Sequence, residues 1–216
     1  MSIIKYKNVF GEVLTEQQTQ ADINFYTKEF YDSGTLKKVE HYHKGLNPKI
    51  VYYMSDDEVL ATVVLDIKNQ YGGGSLYFNK QVTGSYTVWD WEFYDGLTII
   101  EKGKEVLDNQ NREIAHQELD LISLEVLKTT KKYYIEDLGE FAEYATDFDT
   151  GILKFDYNMP HLEIGEISVE VNLPGFELDI YTISQTENIL LDSSIATIFT
   201  WADHPYYHNA SPLIPS

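Results

Sequence analysis

A short aromatic pattern recurs along this chain and constrains its fold more than any other feature. It reads Glu29-Phe30-Tyr31-Asp32-Ser33-Gly34-Thr35-Leu36-Lys37 in one place and Glu92-Phe93-Tyr94-Asp95-Gly96-Leu97 in another. A looser copy is Asp147-Phe148-Asp149-Thr150-Gly151-Ile152-Leu153-Lys154. Each copy sets aromatic residues, which suit a pleated and half-buried surface, beside Asp, Ser or Gly, which favour chain reversal. Each therefore predicts strand, tight turn, strand, with Gly34 and Gly151 at turns. Recurrence on this scale predicts a sheet assembled from similar hairpins. Such a sheet is a scaffold, and a scaffold alone does not fix a function.

The segments between the copies extend the β pattern. Residues 3–10, Phe25 to Tyr31, Leu36 to His43 and Ile50 to Met54 read as strands. Val59 to Ile67 is nearly continuous apolar and rich in branched residues, which predicts a central strand buried on both faces. Gly72-Gly73-Gly74 reads as a flexible loop, and Leu76 to Phe78, Ser85 to Phe93 and Leu97 to Ile100 as further strands. Glu16 to Gln20 is a short helix or a loop. Ala115, Leu119, Ile122 and Val126 recur at helical spacing, with Asn111 as a candidate cap, although the run 128–134 that follows prefers strand. Leu138, Phe141, Ala142 and Ala145 share a second helical face behind the capping-box signature Asp137/Glu140.

Near the C-terminus, Ile167, Val169, Val171 and Leu173 alternate with Glu166, Ser168, Glu170 and Asn172, and Phe176, Leu178 and Ile180 alternate with Glu177, Asp179 and Tyr181. Pairing them across Pro174-Gly175 as a two-residue hairpin puts Leu173 opposite Phe176 and Glu170 opposite Asp179. The fold class that follows is mainly β: one or more antiparallel sheets built from hairpins, forming a sandwich or a curled sheet, with one or two short helices. Residues 1–107 read as a β-meander with hairpin repeats. Residues 108–216 read as a mixed segment with short helices and a C-terminal β-hairpin. The two also fit one continuous domain.

Charge narrows the function classes. The chain has 16 Lys and Arg against 35 Asp and Glu, a formal net charge of −19. Such a surface repels nucleic-acid phosphates and anionic membranes, and it suits a basic partner or a cation. Arg112 is the sole arginine, so bidentate recognition of phosphate is nearly excluded. With no cysteine, disulfides, thiolate catalysis and Cys-ligated zinc are ruled out. The first residues lack a long apolar run with a small-residue cleavage site, and no apolar run approaches spanning length. The expected location is the cytoplasm, or a particle assembled there.

Residues 30–45 carry a resemblance. Phe30, Tyr31, Gly34, Leu36, Lys37, Tyr42 and Gly45 match the order of an aromatic pair, a turn glycine, a Leu-Lys step and a second aromatic before another glycine. That order resembles one unit of the MORN-type repeats of bacterial antitoxin-like proteins. The resemblance implies a non-catalytic binding sheet.

Few residues suggest chemistry. His41 and His43 lie two apart on a predicted strand and so share a face, but no nearby carboxylate shares it. Asp203-His204-Pro205-Tyr206-Tyr207-His208 spaces two histidines for a helix that Pro205 permits only in a first turn. No metal site, cofactor or catalytic residue follows from these. Glu166, Glu170, Glu177 and Asp179 fall on the outer face of one hairpin, where directly opposed like charges destabilise a sheet. They are the candidate surface for a basic partner or a cation. The expected function is a non-enzymatic protein-interaction module, an immunity or antitoxin-like acidic protein that binds a basic protein. A structural subunit of a larger self-assembling particle, such as a phage particle, and a metal-dependent or carbohydrate-active enzyme are the alternatives.

Overall fold

The first two aromatic copies form turns where the sequence places them. In the computed structural model, which describes residues 2–8, 11–20, 25–44, 46–138, 142, 151–158, 166–174, 179–184 and 199–216, strand β3 (Phe25–Asp32) reverses into β4 (Thr35–His43) through Ser33 and Gly34. Both turn residues have positive φ, +49° and +85°, the mirror-image turn that matches strand twist and that Gly adopts without strain. Strand β7 (Tyr86–Asp95) passes into β8 (Thr98–Leu107) through Gly96 and Leu97, where Gly96 alone takes a positive φ, +60°. The Glu-Phe-Tyr part of the pattern also has a physical role. Residues two apart on a strand face the same side, so the Tyr31 hydroxyl donates to Glu29 at 2.8 Å and the Tyr94 hydroxyl to Glu92. Tyr42 donates to Glu40 at 2.7 Å by the same spacing. Burial, then the Glu29 carboxylate, pushes Tyr31 up to about 12. The turn expected at 147–150 lies outside the described residues, and Gly151 is the first residue of a strand.

The remaining strands are β1 (Ser2–Lys7), β2 (Val13–Leu14), β5 (Lys49–Tyr53), β6 (Gly73–Thr83), β9 (Glu113–Leu119), β10 (Val126–Ile135), β11 (Gly151–Tyr157), β12 (Glu166–Asn172) and β13 (Asp179–Ser184). All belong to one open mixed sheet in the order β2-β1-β3-β4-β5-β6-β7-β8-β9-β10-β11-β12-β13. The chain is thus mainly β, as its sequence predicts. Helices are α1 (Glu16–Thr19), opened by a Thr15/Gln18 capping box, and α2 (Leu60–Tyr71). Among the described residues no helix is long and apolar enough to cross a membrane. The chain divides into two compact units, residues 1–81 with 89–103, and residues 82–88 with 104–216.

In the first unit, the segment expected to be a central strand is α2. Its apolar residues satisfy a helical spacing as well: Val63, Val64 and Ile67 are buried, and Tyr71 packs beside them against Ile50, Leu76 and Tyr94. Burial of one helix face outweighs the small propensity cost of branched residues. The helix joins β5 to β6 as a crossover, so those two strands run parallel, where an all-antiparallel sheet was expected. The glycine run is no loose loop. Gly72 ends α2 with its N–H on the Lys68 carbonyl, and Gly73 opens β6.

In the second unit, the helix expected over Ala115, Leu119, Ile122 and Val126 is instead strand, turn and strand. Leu119 pairs with Val126 and Ala115 with Lys131. Asn111, expected as a cap, sits in the β8–β9 turn at φ +62°. Strand-forming residues in 128–134 need a partner strand, and 113–119 supplies it. The second expected helix, Leu138 to Ala145, lies almost wholly outside the described residues.

Here the core face of β10–β12, with Leu153, Phe155, Tyr157, Ile167, Val169 and Val171, is covered by residues 199–216. That cover has two short 3-10 turns, Trp201–Asp203 and Pro205–His208. It is held by Lys131, whose side chain is fully buried. The Lys131 ammonium donates to the carbonyls of Tyr206 and Asn209, both at 2.7 Å, and lies 3.8 Å from the centre of the Tyr206 ring. Burial pushes its pKa down to about 8.

Two outcomes follow. A Cβ at Gly73 would overlap the Tyr94 carbonyl oxygen, which is backbone and cannot rotate away. Gly73→Ala should therefore cost about 1–3 kcal/mol or more in urea denaturation. For Lys131, the unfolded chain keeps a proton between pH 8 and 10.5 that the folded chain has released, so stability should rise with pH over that window. Tyr157 and Tyr206, pushed up by burial, reverse the trend once unfolded tyrosines ionise near about pH 10. Unfolding midpoints from pH 7.5 to 9.5 should climb in the natural protein and stay flatter in Lys131→Met.

Candidate interaction surface

The carboxylates singled out from the alternation do not gather as expected. On β12, Ile167, Val169 and Val171 are buried, which leaves Glu166 and Glu170 on the opposite face. Pairing with β13 sets Val171 opposite Asp179 and Glu170 opposite Ile180. That is one residue away from the expected register, and a one-residue slip moves a whole strand to the other face. Position 179 therefore shares its register with buried Val171, while Ile180, 65% exposed, stands beside Glu170. Glu177 lies outside the described residues. Glu170 also has a counter-charge. Lys154, directly opposite on β11, reaches Glu170 at 3.3 Å and Asp156 at 3.0 Å. Burial works against the Lys154 charge, but Asp156 and Glu170 hold its pKa above the usual lysine value. Asp156 further accepts from Thr130 at 2.5 Å. Among the described residues, this face sets Lys154 between Asp156 and Glu170 and does not leave Glu170 bare.

The histidines have other work. His43 stacks on Phe25, with ring centres 4.1 Å apart. Burial and then Lys49 hold His41 below its usual pKa. His204 places Nδ1 2.8 Å from the Thr200 carbonyl, and His208 places Nε2 2.7 Å from the Trp201 carbonyl. Their rings stack on Phe199 and Trp201. One mixed cluster escapes sequence reading: ligand atoms of Glu105, Glu113 and His116 all lie within 4.8 Å of one another. His116 Nδ1 is 3.7 Å from Glu105, and Glu113 pairs with Lys132 at 3.0 Å. Its donors would suit a divalent cation, yet Lys132 already answers one of the two carboxylates. Nothing in the spacing announces it, because β8 and β9 must pair before these residues meet.

The most unusual surface is the tip of the β9–β10 hairpin. Within seven residues it exposes Leu121, Ile122, Leu124, Val126 and Leu127, and Ile122 is 94% exposed. Large apolar groups clustered this way are costly in water and mark contact sites. The tip is also built rigidly. The Asp120 carboxylate accepts from the N–H of Ile122 at 2.9 Å and of Ser123 at 2.7 Å, and the Asp120 N–H donates to the Glu125 carbonyl at 2.8 Å. Leu124 sits at φ +63°, a left-handed conformation that a leucine adopts at a cost of roughly 1–2 kcal/mol. Glu118, Asp120 and Glu125 flank the apolar group. Ile122 and Val126 recur at helical spacing with Ala115 and Leu119, so the sequence does not announce the tip.

No protein-family model, no curated protein and no solved structure matches this chain.

Because Lys154 answers Glu170, Glu170→Gln should lower stability by no more than about 1 kcal/mol, the ordinary worth of a partly exposed pair. A higher urea midpoint in the variant would mean that repulsion among carboxylates dominates this face.

Proposed function

We propose that the chain is a non-enzymatic protein-binding module, an acidic protein of the immunity or antitoxin kind that covers a basic partner, and that the β9–β10 tip is its apolar anchor. The exposure of Ile122 among four other large apolar side chains carries this reading. Interfaces concentrate their energy in a few apolar anchors that enter a pocket, surrounded by a polar rim. The tip has that composition, with carboxylates as the rim, and the net charge of −19 steers a cationic protein toward it. A leucine held in a left-handed conformation supports the same reading, since backbone strain concentrates where a surface is used.

The test is capture of basic proteins from the source cell by the immobilised chain, with Ile122→Asp alongside. The natural chain should retain a basic protein that Ile122→Asp loses by a factor of about 30 or more, as removal of an interface anchor predicts, and retention should fall as salt rises. Leu124→Asn should raise thermal stability by about 1 kcal/mol, since Asn tolerates the left-handed turn, and should weaken capture. Equal retention by both chains would sink the proposal. So would self-association of the natural chain that Ile122→Asp abolishes in sedimentation velocity, because the tip would then serve assembly.

A further inference from the structure

The unit of residues 1–81 and 89–103 holds a cleft of about 580 Å³ beside α2, within the size range of small-molecule sites. Its origin is the crossover. The helix packs on β5 and β6, while β1, β3 and β4 continue the sheet past it. Register puts Ile4, Phe30, Lys38 and Tyr52 in one cross-strand row on that continuing face. Val59, Val63 and Ile67 of the helix side line the facing wall. Ile4 is 48% exposed and Val59 65%, so the cleft is apolar and wet.

Its floor carries an ordered set of charges. Pairing between β3 and β4 skips Lys37, a bulge of the kind that re-aims a side chain, and both Lys37 and Lys38 line the cleft. The Lys38 ammonium is fully engaged, with Glu40 at 2.8 Å, the Tyr71 hydroxyl at 2.9 Å and the Phe30 ring at 3.9 Å. Lys37 meets Glu58 at 3.2 Å. Glu58 is itself fixed by the Tyr52 hydroxyl at 2.5 Å and the Ser55 N–H at 2.6 Å. An ammonium has three N–H donors, and among the described residues Lys37 directs one of them at a carboxylate. Glu40 and Glu58 are raised by burial, but their hydrogen bonds outweigh it and keep both below the usual carboxylate range, so both lysines sit beside permanent anions. Asp32 and Asp66 also border the cleft. Both are exposed where Lys37 is half-buried, and water screens exposed charges more strongly.

We propose that this cleft binds a slender apolar molecule ending in a carboxylate, with the chain along Ile4, Phe30 and Val59 and the head on Lys37. The site is separate from the β9–β10 tip, and the two readings stand or fall independently. A charge-assisted hydrogen bond from Lys37 would orient the head, and the apolar wall would supply the affinity.

Calorimetric titration with decanoate, decanol and decylamine tests it. Decanoate should bind more tightly than decanol, and decanol more tightly than decylamine. Lys37→Gln should weaken decanoate about tenfold, the worth of one charge-assisted bond, and leave decanol unchanged. Val59→Ser should weaken both alcohol and acid. It puts a capping residue where α2 now has none, so it does not endanger folding. The Ile122→Asp chain should bind decanoate like the natural one. Tightest binding of decylamine would overturn the proposal by giving the site to Asp32 and Asp66. Absence of decanoate binding, or equal loss of acid and alcohol in Lys37→Gln, would overturn it as well.

Discussion

A buried lysine holds the cover on the larger unit. One face of β10–β12 is made of Leu153, Phe155, Tyr157, Ile167, Val169 and Val171, and among the described residues only two short 3-10 turns, no α-helix, lie over it. Its cover is the C-terminal segment, which has little regular structure and so cannot satisfy its own backbone. Lys131 supplies what is missing by capping two of that segment's carbonyls. The Tyr157 hydroxyl donates to the Tyr207 carbonyl at 2.8 Å. Burying an ammonium costs several kcal/mol if it is left alone. Two carbonyls and an aromatic face offset that cost, and the depressed pKa of Lys131 is the part left over. The rings interlock around it, with Phe155 and Tyr207 4.7 Å apart and Tyr133 and Phe199 5.1 Å apart. In the other unit α2 meets the same need, burying Val63, Val64 and Ile67 against Ile50, Leu76 and Tyr94.

The high content of acid and the high content of tyrosine belong together. Glu29, Glu40, Glu58 and Glu92 each accept from a tyrosine hydroxyl, and Lys154 answers both Asp156 and Glu170. Hydroxyls and lysines thus satisfy these carboxylates locally, while the chain keeps its net charge of −19. Glu170 already has Lys154 beside it, whereas the β9–β10 tip leaves its apolar side chains in water. An acidic rim around an apolar anchor and an apolar cleft floored by ion-paired lysines are different chemistries on one scaffold.

Local signals in the sequence determined the parts of this protein that depend on neighbours in the chain. Ser33-Gly34 and Gly96 reverse it because few other residues accept positive φ there, and Glu-Phe-Tyr pairs its own ends because strand residues two apart share a face. The alternation in Ile167 to Val171 was enough to identify a half-buried strand, and β class followed. What pairs with what was decided only in three dimensions. Val59 to Ile67 fits a strand by composition and a helix by spacing, and the choice fell to helix because β5 and β6 needed a cover. Ala115 to Val126 has helical spacing by coincidence, and the strand at 126–135 captured it. On β13 a single residue of turn length decided whether Asp179 or Ile180 stands beside Glu170. Spacing along the chain carries the face of one strand, but register is set by turn length and burial together, and both belong to the tertiary structure.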